Sequence, residues 1–208
     1  VALIVGETRE ACIDALELVE VDYNSLPSVS HQSEAIKDCA PQIWDIAPNN
    51  ICLDFELGDE VAQKAAFAAA DHIISLDLVN NRVTAVPIEP RGALADFDPA
   101  TGKYTLWNSS QNVHANRDTI ADTVLKIGKE NLHHIAPDVG GGFGAKNGVY
   151  QEPILILHAA KILERPVKWI NDRSESFVSD THGRDQVTNV QLALDKDGKF
   201  RALRTETV

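Results

Sequence analysis

The chain has 208 residues, 44% of them hydrophobic, and a formal net charge of −12 at pH 7. This length and apolar content are sufficient for one or two globular domains with a hydrophobic core. The acidic balance argues against nucleic-acid binding, because phosphate contacts need clustered Lys and Arg side chains. No apolar run approaches the ~18 residues of a membrane-spanning helix. The cysteines Cys12, Cys39 and Cys52 form no Cys-x-x-Cys pair, so we expect neither a zinc nor an iron–sulfur site in this chain.

The first quarter of the chain is predicted to combine short elements with loops. Residues 1–5 form an apolar run typical of a buried strand, and Thr8 is placed to cap a helix that ends near residue 17. Residues 19–23 alternate in the manner of a strand, and prolines with an Asn-Asn pair then predict a boundary near residue 48. Because both ends of the sequence have a strand pattern, we interpret the chain as an internal piece of a longer protein.

From residue 58 onward, the pattern predicts hairpins combined with separate helices. The predicted helices cover about residues 59–71, 118–127 and 152–163, and the predicted strands cover residues 72–78, 93–97, 104–107, 133–139, 165–170, 187–194 and from 200 onward. The turn sequences at 98–102 and 195–198 are typical of hairpins. This mixture favours an α+β fold. His133 and His134 should point to opposite faces of their strand, so one should be packed and the other solvated.

Residues 138–146, Asp-Val-Gly-Gly-Gly-Phe-Gly-Ala-Lys, are the most informative segment for function. Glycine is favoured where φ is positive or where a ligand lies close to the main chain, and exposed N–H groups in such a loop can bind an anion. At Gly142 we expect both a positive φ and the close approach of a ligand. A plain surface turn is the simplest alternative explanation for a glycine cluster.

The same loop also matches a dinucleotide-binding fingerprint, Gly140-x-Gly142-x-x-Ala145, followed by a predicted helix and strand. Two prolines, Pro137 before the loop and Pro153 at the start of the helix, weaken this match. The flanking hairpins do not suit a doubly wound parallel sheet either. A dinucleotide-binding oxidoreductase domain is therefore the alternative hypothesis.

Six segments carry a more specific signal. They are Glu-Leu-Val-Glu-Val-Asp-Tyr at 17–23, Ile-Glu-Pro-Arg at 88–91, Ser-Gln-Asn-Val-His at 110–114, Ala-Pro-Asp-Val-Gly-Gly-Gly-Phe-Gly-Ala-Lys at 136–146, Val-Lys-Trp-Ile-Asn-Asp-Arg-Ser-Glu at 167–175 and Ser-Asp-Thr-His-Gly-Arg-Asp at 179–185. In this order, they resemble the molybdenum-binding large subunit of the xanthine dehydrogenase and aldehyde oxidase family. The aerobic carbon monoxide dehydrogenase branch is the most similar, and the resemblance covers nearly the whole chain.

The resemblance implies a domain organisation and a chemistry. Residues 1–48 would be the C-terminal part of an α/β-hammerhead-like domain with its linker, and residues 49–208 the first part of a molybdopterin-binding domain of mixed sheets and helices. The cofactor would be molybdenum–molybdopterin in the cytosine dinucleotide form. The enzyme would oxidise an aldehyde, carbon monoxide or an N-heterocycle with water as the oxygen source. Electrons would pass to an iron–sulfur subunit and an FAD subunit, in a cytoplasmic bacterial dimer of heterotrimers.

The resemblance also assigns roles to residues. Gln111 would hydrogen-bond an oxygen on molybdenum, and Phe143 would line the catalytic site; Gly141, Gly142 and Gly144 would bind the cofactor together with these two residues. No residue of the chain is expected to ligate the metal. The family's glutamate base lies beyond Val208, so we expect the 208-residue chain alone to be inactive.

Several polar residues have more than one interpretation. Glu89 either faces a pocket entrance or pairs with Arg91. The polar residues between 180 and 185 form either a hydrogen-bonded loop or a surface set of salt bridges, because they lack the spacing of metal ligands. Asn147 occupies the position where purine-oxidising relatives have a glutamate, and we therefore expect xanthine to be a poor substrate.

Overall fold

The structure, a computed structural model that describes residues 2–208, is a mixed α+β chain with two open sheets, which confirms the predicted fold class. Its α-helices are α1 (Arg9–Leu16), α2 (Gln32–Ala35), α3 (Glu60–Ala68), α4 (Val113–Asp118), α5 (Gln151–Leu163) and α6 (Arg173–Ser179). Its strands are β1 (His72–Asn80), β2 (Gly92–Asp98), β3 (Lys103–Asn108), β4 (Leu132–Ile135), β5 (Val167–Ile170), β6 (Gln186–Leu194) and β7 (Phe200–Thr207). No helix among the described residues is long and apolar enough to cross a membrane.

The chain divides into two compact units. The first comprises the residues up to Asp22 together with Thr84–His182, and the second comprises Tyr23–Val83 together with Gly183–Val208. Each unit contains one sheet. The four-stranded sheet, in the order β4-β3-β2-β5, belongs to the first unit, and the antiparallel sheet β1-β6-β7 belongs to the second.

The core of the first unit lies between its sheet and α5. β2 pairs antiparallel with both β3 and β5, whereas β3 pairs parallel with β4. Leu106 of β3 and Leu157 of α5 are fully buried, and Ile120 and Ile156 are 1% exposed. The predicted hairpin between β2 and β3 is confirmed, and Asp98 fixes its turn by accepting hydrogen bonds from the Ala100 N–H and the Thr101 hydroxyl. This hairpin and its neighbours form the base from which the glycine loop extends.

The second unit confirms the other predicted hairpin, β6–β7. The Asp195 carboxylate accepts hydrogen bonds from the backbone N–H groups of Asp197 and Lys199, which closes the turn. Helix α3 begins after Asp59, whose side chain caps it by accepting from the Ala62 N–H at 2.9 Å.

Several predicted element boundaries are wrong. Residues 2–5 and 19–23 are not strands, because an apolar or alternating run forms a strand only where a partner strand is available; Val1 lies outside the described residues. The helix predicted from residue 118 begins at Val113 and continues as a π-helix over Thr119–Leu125. It ends at Lys126, which adopts the left-handed conformation with φ 53°, before Gly128 is reached.

The two neighbouring histidines of β4 point to opposite faces, as predicted. His133 is exposed, whereas His134 is 6% exposed. Burial lowers the pKa of His134 below its usual value, the positive charge of Arg117 acts in the same direction, and the nearby backbone of Val113 offsets these effects only in part. The folded state therefore favours the neutral imidazole.

This burial makes stability depend on pH in a defined direction. Because the folded pKa lies below the unfolded value of about 6.5, the stabilisation is complete above that value and decreases as the pH falls toward the folded pKa. His134→Leu should therefore flatten the dependence of the free energy of unfolding on pH between about 7.5 and 5. His133→Leu on the exposed face is the matched control. Urea unfolding across this range measures both variants, and an unchanged slope for His134→Leu would contradict the assignment.

Candidate functional site at the glycine loop

The glycine loop, defined here as residues 138–146, lies between β4 and α5. Gly141 and Gly144 each have φ 93°, and Phe143 has φ 51°, so three of its residues adopt left-handed backbone conformations. Glycine is suited to these values, whereas Phe143 is a strained exception. The Phe143 side chain is 76% exposed. The loop thus holds one large apolar side chain on a backbone shaped by glycine.

Of the two features expected at Gly142, the positive φ is absent, because its φ does not lie in the left-handed region. A Cβ atom added at Gly142 would lie 2.6 Å from Gln111 Cγ and would overlap the Gln111 carboxamide. The prediction of positive φ at this position is therefore wrong. Gly142 is needed for close approach of a neighbouring side chain.

Gln111 connects the middle and the end of the loop. Its Oε1 accepts hydrogen bonds from the N–H groups of Gly144 at 3.0 Å and Lys146 at 3.2 Å, and its own backbone N–H donates to the Lys146 carbonyl at 2.9 Å. Because two N–H donors face this atom, it must be the carbonyl oxygen of the amide. The amide nitrogen is then left as a donor, with no acceptor in the described part of the chain.

The backbone between these anchors presents further donors. Within residues 2–208, the N–H groups of Gly141, Gly142 and Phe143 donate to no protein acceptor, whereas those of Gly140, Gly144 and Ala145 do. Successive free N–H groups in a loop of this kind can bind an anionic or oxygen-rich ligand.

Glu89 joins the two ends of the glycine loop. Its Oε2 accepts hydrogen bonds from the Gly140 N–H, the Lys146 ammonium and the Ser109 hydroxyl, each at 2.7 Å. Of the two interpretations of Glu89, the pairing with Arg91 is wrong, because the carboxylate forms its ion pair with Lys146. Burial raises the pKa of Glu89, but the hydrogen bonds from Lys146, Ser109 and Gly140 outweigh it, so that the pKa is lowered overall.

Arg91 instead forms a buried ion-pair cluster beneath the loop. Its Nε donates to Asp180 at 2.6 Å, its Nη1 and Nη2 donate to the two oxygens of Glu152, and Nη2 also donates to the Ser179 hydroxyl. Burial lowers the pKa of Arg91, but hydrogen bonds to Glu152 and Asp180 raise it more, and the net change is upward. This cluster fixes the start of α5 and the end of α6 against β2.

Tyr150 connects this cluster to the glycine loop. The Arg91 guanidinium lies 3.7 Å from the centre of the Tyr150 ring, a cation–π geometry. The Tyr150 hydroxyl donates to the Ala145 carbonyl at 2.5 Å and accepts from the Thr181 N–H at 3.0 Å. The C-terminal end of the loop is therefore held by a side chain that the buried arginine covers.

The polar residues between 180 and 185 take part in separate interactions. Asp180 binds Arg91 within the first unit, and Asp185 pairs with Arg82 at 2.7 Å within the second. His182 contacts the Phe177 carbonyl at 3.2 Å. No group of three or more His, Cys, Asp or Glu side chains in the described part of the chain is arranged to hold a metal ion.

The geometry does not support the dinucleotide-binding alternative. That site needs a short turn from a strand into a helix, with phosphate at the N-terminus of the helix. Here residues 136–150 separate β4 from α5, so the glycines do not open the helix. The strand order β4-β3-β2-β5 also places two strands between β4 and β5, whereas the two parallel strands of a nucleotide-binding βαβ unit are usually adjacent.

Comparison with known proteins identifies the family. The family described as "Molybdopterin cofactor-binding domain" matches residues 43–208. The carbon monoxide dehydrogenase large chain of Afipia carboxidovorans is 34% identical over 98% of this chain and 27% of that protein. The nicotine 6-hydroxylase large subunit of Paenarthrobacter nicotinovorans is 32% identical over 100% of this chain and 25% of that protein.

Solved structures agree with the sequence comparisons. Reconstituted CO dehydrogenase from Oligotropha carboxidovorans matches 96% of this chain and 26% of its own chain, with a TM-score of 0.88 and 32% identity. Aldehyde oxidoreductase from Desulfovibrio gigas matches 97% of this chain and 22% of its own, with a TM-score of 0.84 and 27% identity. The chain spans about a quarter of the length of these two curated relatives. The family resemblance found in the sequence is thereby confirmed, and the chain belongs to the molybdopterin cofactor-binding domain family of the xanthine dehydrogenase and aldehyde oxidase type.

Proposed function

We propose that this chain is part of the catalytic subunit of a molybdenum hydroxylase, and that its glycine loop holds the molybdenum–molybdopterin cofactor. One observation carries the proposal. Gln111 Oε1 is occupied by two loop N–H groups, which leaves its amide nitrogen and the N–H groups of Gly141, Gly142 and Phe143 as donors. A molybdopterin with its phosphate groups is rich in acceptors, so these donors fit it.

When bound, the cofactor supplies a two-electron oxidation that uses water as the oxygen source. The chain's own residues would bind the cofactor and orient it. Gln111 donates from its amide nitrogen without adding charge, and the glycines allow the main chain to approach closely. The exposed Phe143 offers an apolar surface beside these donors, which suits exclusion of water and contact with a flat or small substrate.

Finer features belong to the same proposal. The relatives include a carbon monoxide dehydrogenase, a nicotine 6-hydroxylase and an aldehyde oxidoreductase, which supports carbon monoxide, an N-heterocycle or an aldehyde as substrate. One relative is a large subunit and another is subunit gamma of a complex, which supports a multi-subunit enzyme. Iron–sulfur and FAD partners, in a dimer of heterotrimers, are proposed from the family resemblance alone. We further propose the cytosine dinucleotide form of the cofactor, a cytoplasmic location, and a domain boundary between residues 48 and 49.

The test uses the full-length protein purified from a host that makes the cofactor. Metal analysis should find about one molybdenum per chain, and oxidative release should yield a fluorescent pterin. Titration with NAD and NADP should show no binding to this subunit. Absence of molybdenum and pterin, with tight nicotinamide binding, would replace the proposal by the dinucleotide-binding alternative.

Asn147 provides a prediction about substrate preference. It is exposed directly after the loop, and its backbone N–H donates to the Gly144 carbonyl at 3.2 Å. A neutral asparagine lacks the charge-assisted hydrogen bond of a glutamate, worth roughly 1.5–3 kcal/mol, which corresponds to about 10- to 150-fold in kcat/KM. Xanthine should therefore have a lower kcat/KM than aldehydes or carbon monoxide in steady-state assays of the assembled enzyme.

Two substitutions sharpen this prediction. Asn147→Glu should raise kcat/KM on xanthine. Asn147→Gln should not, because glutamine has the length of glutamate but carries no charge. If xanthine had the highest kcat/KM of all substrates of the unmodified enzyme, the role assigned to Asn147 would be contradicted.

A further inference from the structure

The Glu89–Lys146 pair closes the glycine loop on itself. The same carboxylate oxygen, Glu89 Oε2, binds the N–H of Gly140 at the start of the loop and the ammonium of Lys146 at its end. The Glu89 N–H also donates to the Gly140 carbonyl at 3.3 Å. A single residue from the segment before β2 therefore fixes both ends of a loop that lies more than 50 residues further along the chain.

The fit around Glu89 is close. A Cβ atom added at Gly140 would lie 2.5 Å from Glu89 Cβ, nearer than side-chain carbons normally approach. The Ser109 hydroxyl holds the carboxylate from another direction by donating to the same oxygen. Glu89 therefore contacts the loop backbone directly and has little freedom to move relative to it.

Charge makes the pair more than a packing contact. The Lys146 side chain is 1% exposed, and within residues 2–208 Glu89 is the carboxylate at ion-pair distance from it. A buried ammonium is costly unless it is paired, so its position depends on Glu89. The Glu89 side chain is 39% exposed. Although burial raises its pKa, the hydrogen bonds from Lys146, Ser109 and Gly140 lower that pKa more and so favour the charged carboxylate.

The backbone between the two tied ends carries the free donors. Gly141, Gly142 and Phe143 lie between Gly140 and Lys146, and their N–H groups have no acceptor in the described part of the chain. The Phe143 ring packs locally on Gly141 and is otherwise mostly exposed. Their arrangement before a ligand binds is therefore set largely by the anchors at the ends of the loop and by Gln111.

We propose that Glu89 is a positioning residue that, through its ion pair with Lys146, preorganises the glycine loop and so sets how tightly the loop retains the cofactor. This inference rests on the proposed function, because it concerns the same site. A loop held in its binding conformation loses less conformational entropy when the ligand binds, which slows ligand dissociation. Glu89 contacts the loop and makes no contact with the reacting atoms in this scheme.

The decisive variant is the double substitution Glu89→Gln/Lys146→Met in the full-length protein. It removes both charges together, so no buried charge is left unpaired, and the protein should fold with an unfolding midpoint close to that of the unmodified protein. Dissociation of the cofactor, followed as loss of protein-bound molybdenum and of pterin fluorescence after oxidation, should be about tenfold faster, as expected for the loss of a charge-assisted hydrogen bond.

A second readout does not need the cofactor. In cofactor-free protein, amide hydrogen exchange over residues 140–146 should be faster in the double variant, while exchange in α5 stays the same. The single variant Lys146→Met should lie between the double variant and the unmodified protein. The matched control is Glu60→Gln, which breaks the exposed Glu60–Lys64 pair of α3 and should change neither readout.

The outcomes separate the two proposals. A double variant that folds and retains molybdenum and pterin at the unmodified rate would overturn the role of Glu89 and leave the proposed function intact. A double variant whose faster loss is matched by a lower unfolding midpoint and faster exchange throughout α5 would show a merely structural role. Unmodified full-length protein without molybdenum and pterin would overturn the proposed function and, with it, this inference.

Discussion

Gly142→Val should abolish loading of the molybdenum–molybdopterin cofactor in the full-length protein while leaving its fold largely intact. Gly142 is buried, and any Cβ atom there would overlap the Gln111 carboxamide. The side chain would push Gln111 away from the N–H groups of Gly144 and Lys146, which it now orders. Overpacking of this kind costs about 1–3 kcal/mol. Because only the loop and the Gln111 side chain need to move, the rest of the fold should be kept. Molybdenum content and the thermal unfolding midpoint measure the two effects separately.

Gly148→Val is the matched control for this substitution. Apart from its two chain neighbours, no residue has a heavy atom within 4 Å of the position that a Cβ atom at Gly148 would occupy, and its φ is not positive, so a side chain there should be tolerated. A second test adds Gln111→Ala to Gly142→Ala. Removing the obstructing amide should restore the unfolding midpoint, but cofactor content should stay low, because the amide donor is gone. Normal molybdenum occupancy in Gly142→Val would show that the loop is only a turn.

The sequence was sufficient to predict those parts of the structure that depend on local chemistry. Thr8 accepts a hydrogen bond from the Ala11 N–H at the start of α1, and Asp98 fixes the turn between β2 and β3, both from side chains next to the groups they bind. The alternation of His133 and His134 follows directly from strand geometry. The glycine loop was recognisable for the same reason, because its unusual composition is contiguous in the sequence.

The interactions that hold the loop could not be predicted in the same way. Lys146 meets Glu89 across 57 positions of the sequence, and Arg91 meets Glu152 and Asp180 across 61 and 89 positions. Which opposite charges come together depends on the strand order, which no local pattern specifies. Arg91 lies two positions after Glu89, which suggested an ion pair between them. In the structure Glu89 pairs with Lys146, and Arg91 pairs with Glu152 and Asp180. The signal that the sequence did offer was a lysine at the end of a run of glycines and apolar residues.

The predicted end of the helix before β4 was wrong for a related reason. Lys126 adopts the left-handed conformation that ends the π-helix, although Gly128 two residues later is the better residue for it. Local propensity favours the glycine, and the position at which the chain must leave the helix to reach β4 favours the lysine. Tertiary constraints outweigh a preference of about 1 kcal/mol or less.

Arg91→Met should strongly destabilise the first unit. Arg91 is 4% exposed, and its removal leaves the Asp180 and Glu152 carboxylates, which are 3% and 13% exposed, without their cation. Breaking a buried ion pair from one side typically costs about 3–5 kcal/mol, because the remaining charges stay buried and unpaired. The stacking contact on Tyr150 is lost as well. Denaturant unfolding of the cofactor-free full-length protein, with hydrogen exchange in β2 and α6, measures the loss.

Two comparisons establish whether the buried charge is the cause. Arg82→Met breaks the Arg82–Asp185 pair, in which the arginine side chain is 54% exposed, and should cost about 0–1 kcal/mol. Adding Glu152→Gln and Asp180→Asn to Arg91→Met removes the orphaned charges and should recover a large part of the lost stability. A loss below about 1 kcal/mol for Arg91→Met would mean that the carboxylates are solvated in solution. A large loss without recovery in the triple variant would mean that lost packing, and not the unpaired charges, is the cause. The Tyr150 ring lies under Arg91, and its hydroxyl donates to the Ala145 carbonyl of the glycine loop. Arg91→Met should therefore also lower molybdenum content, because the loss of the buried cluster would change the shape of the loop.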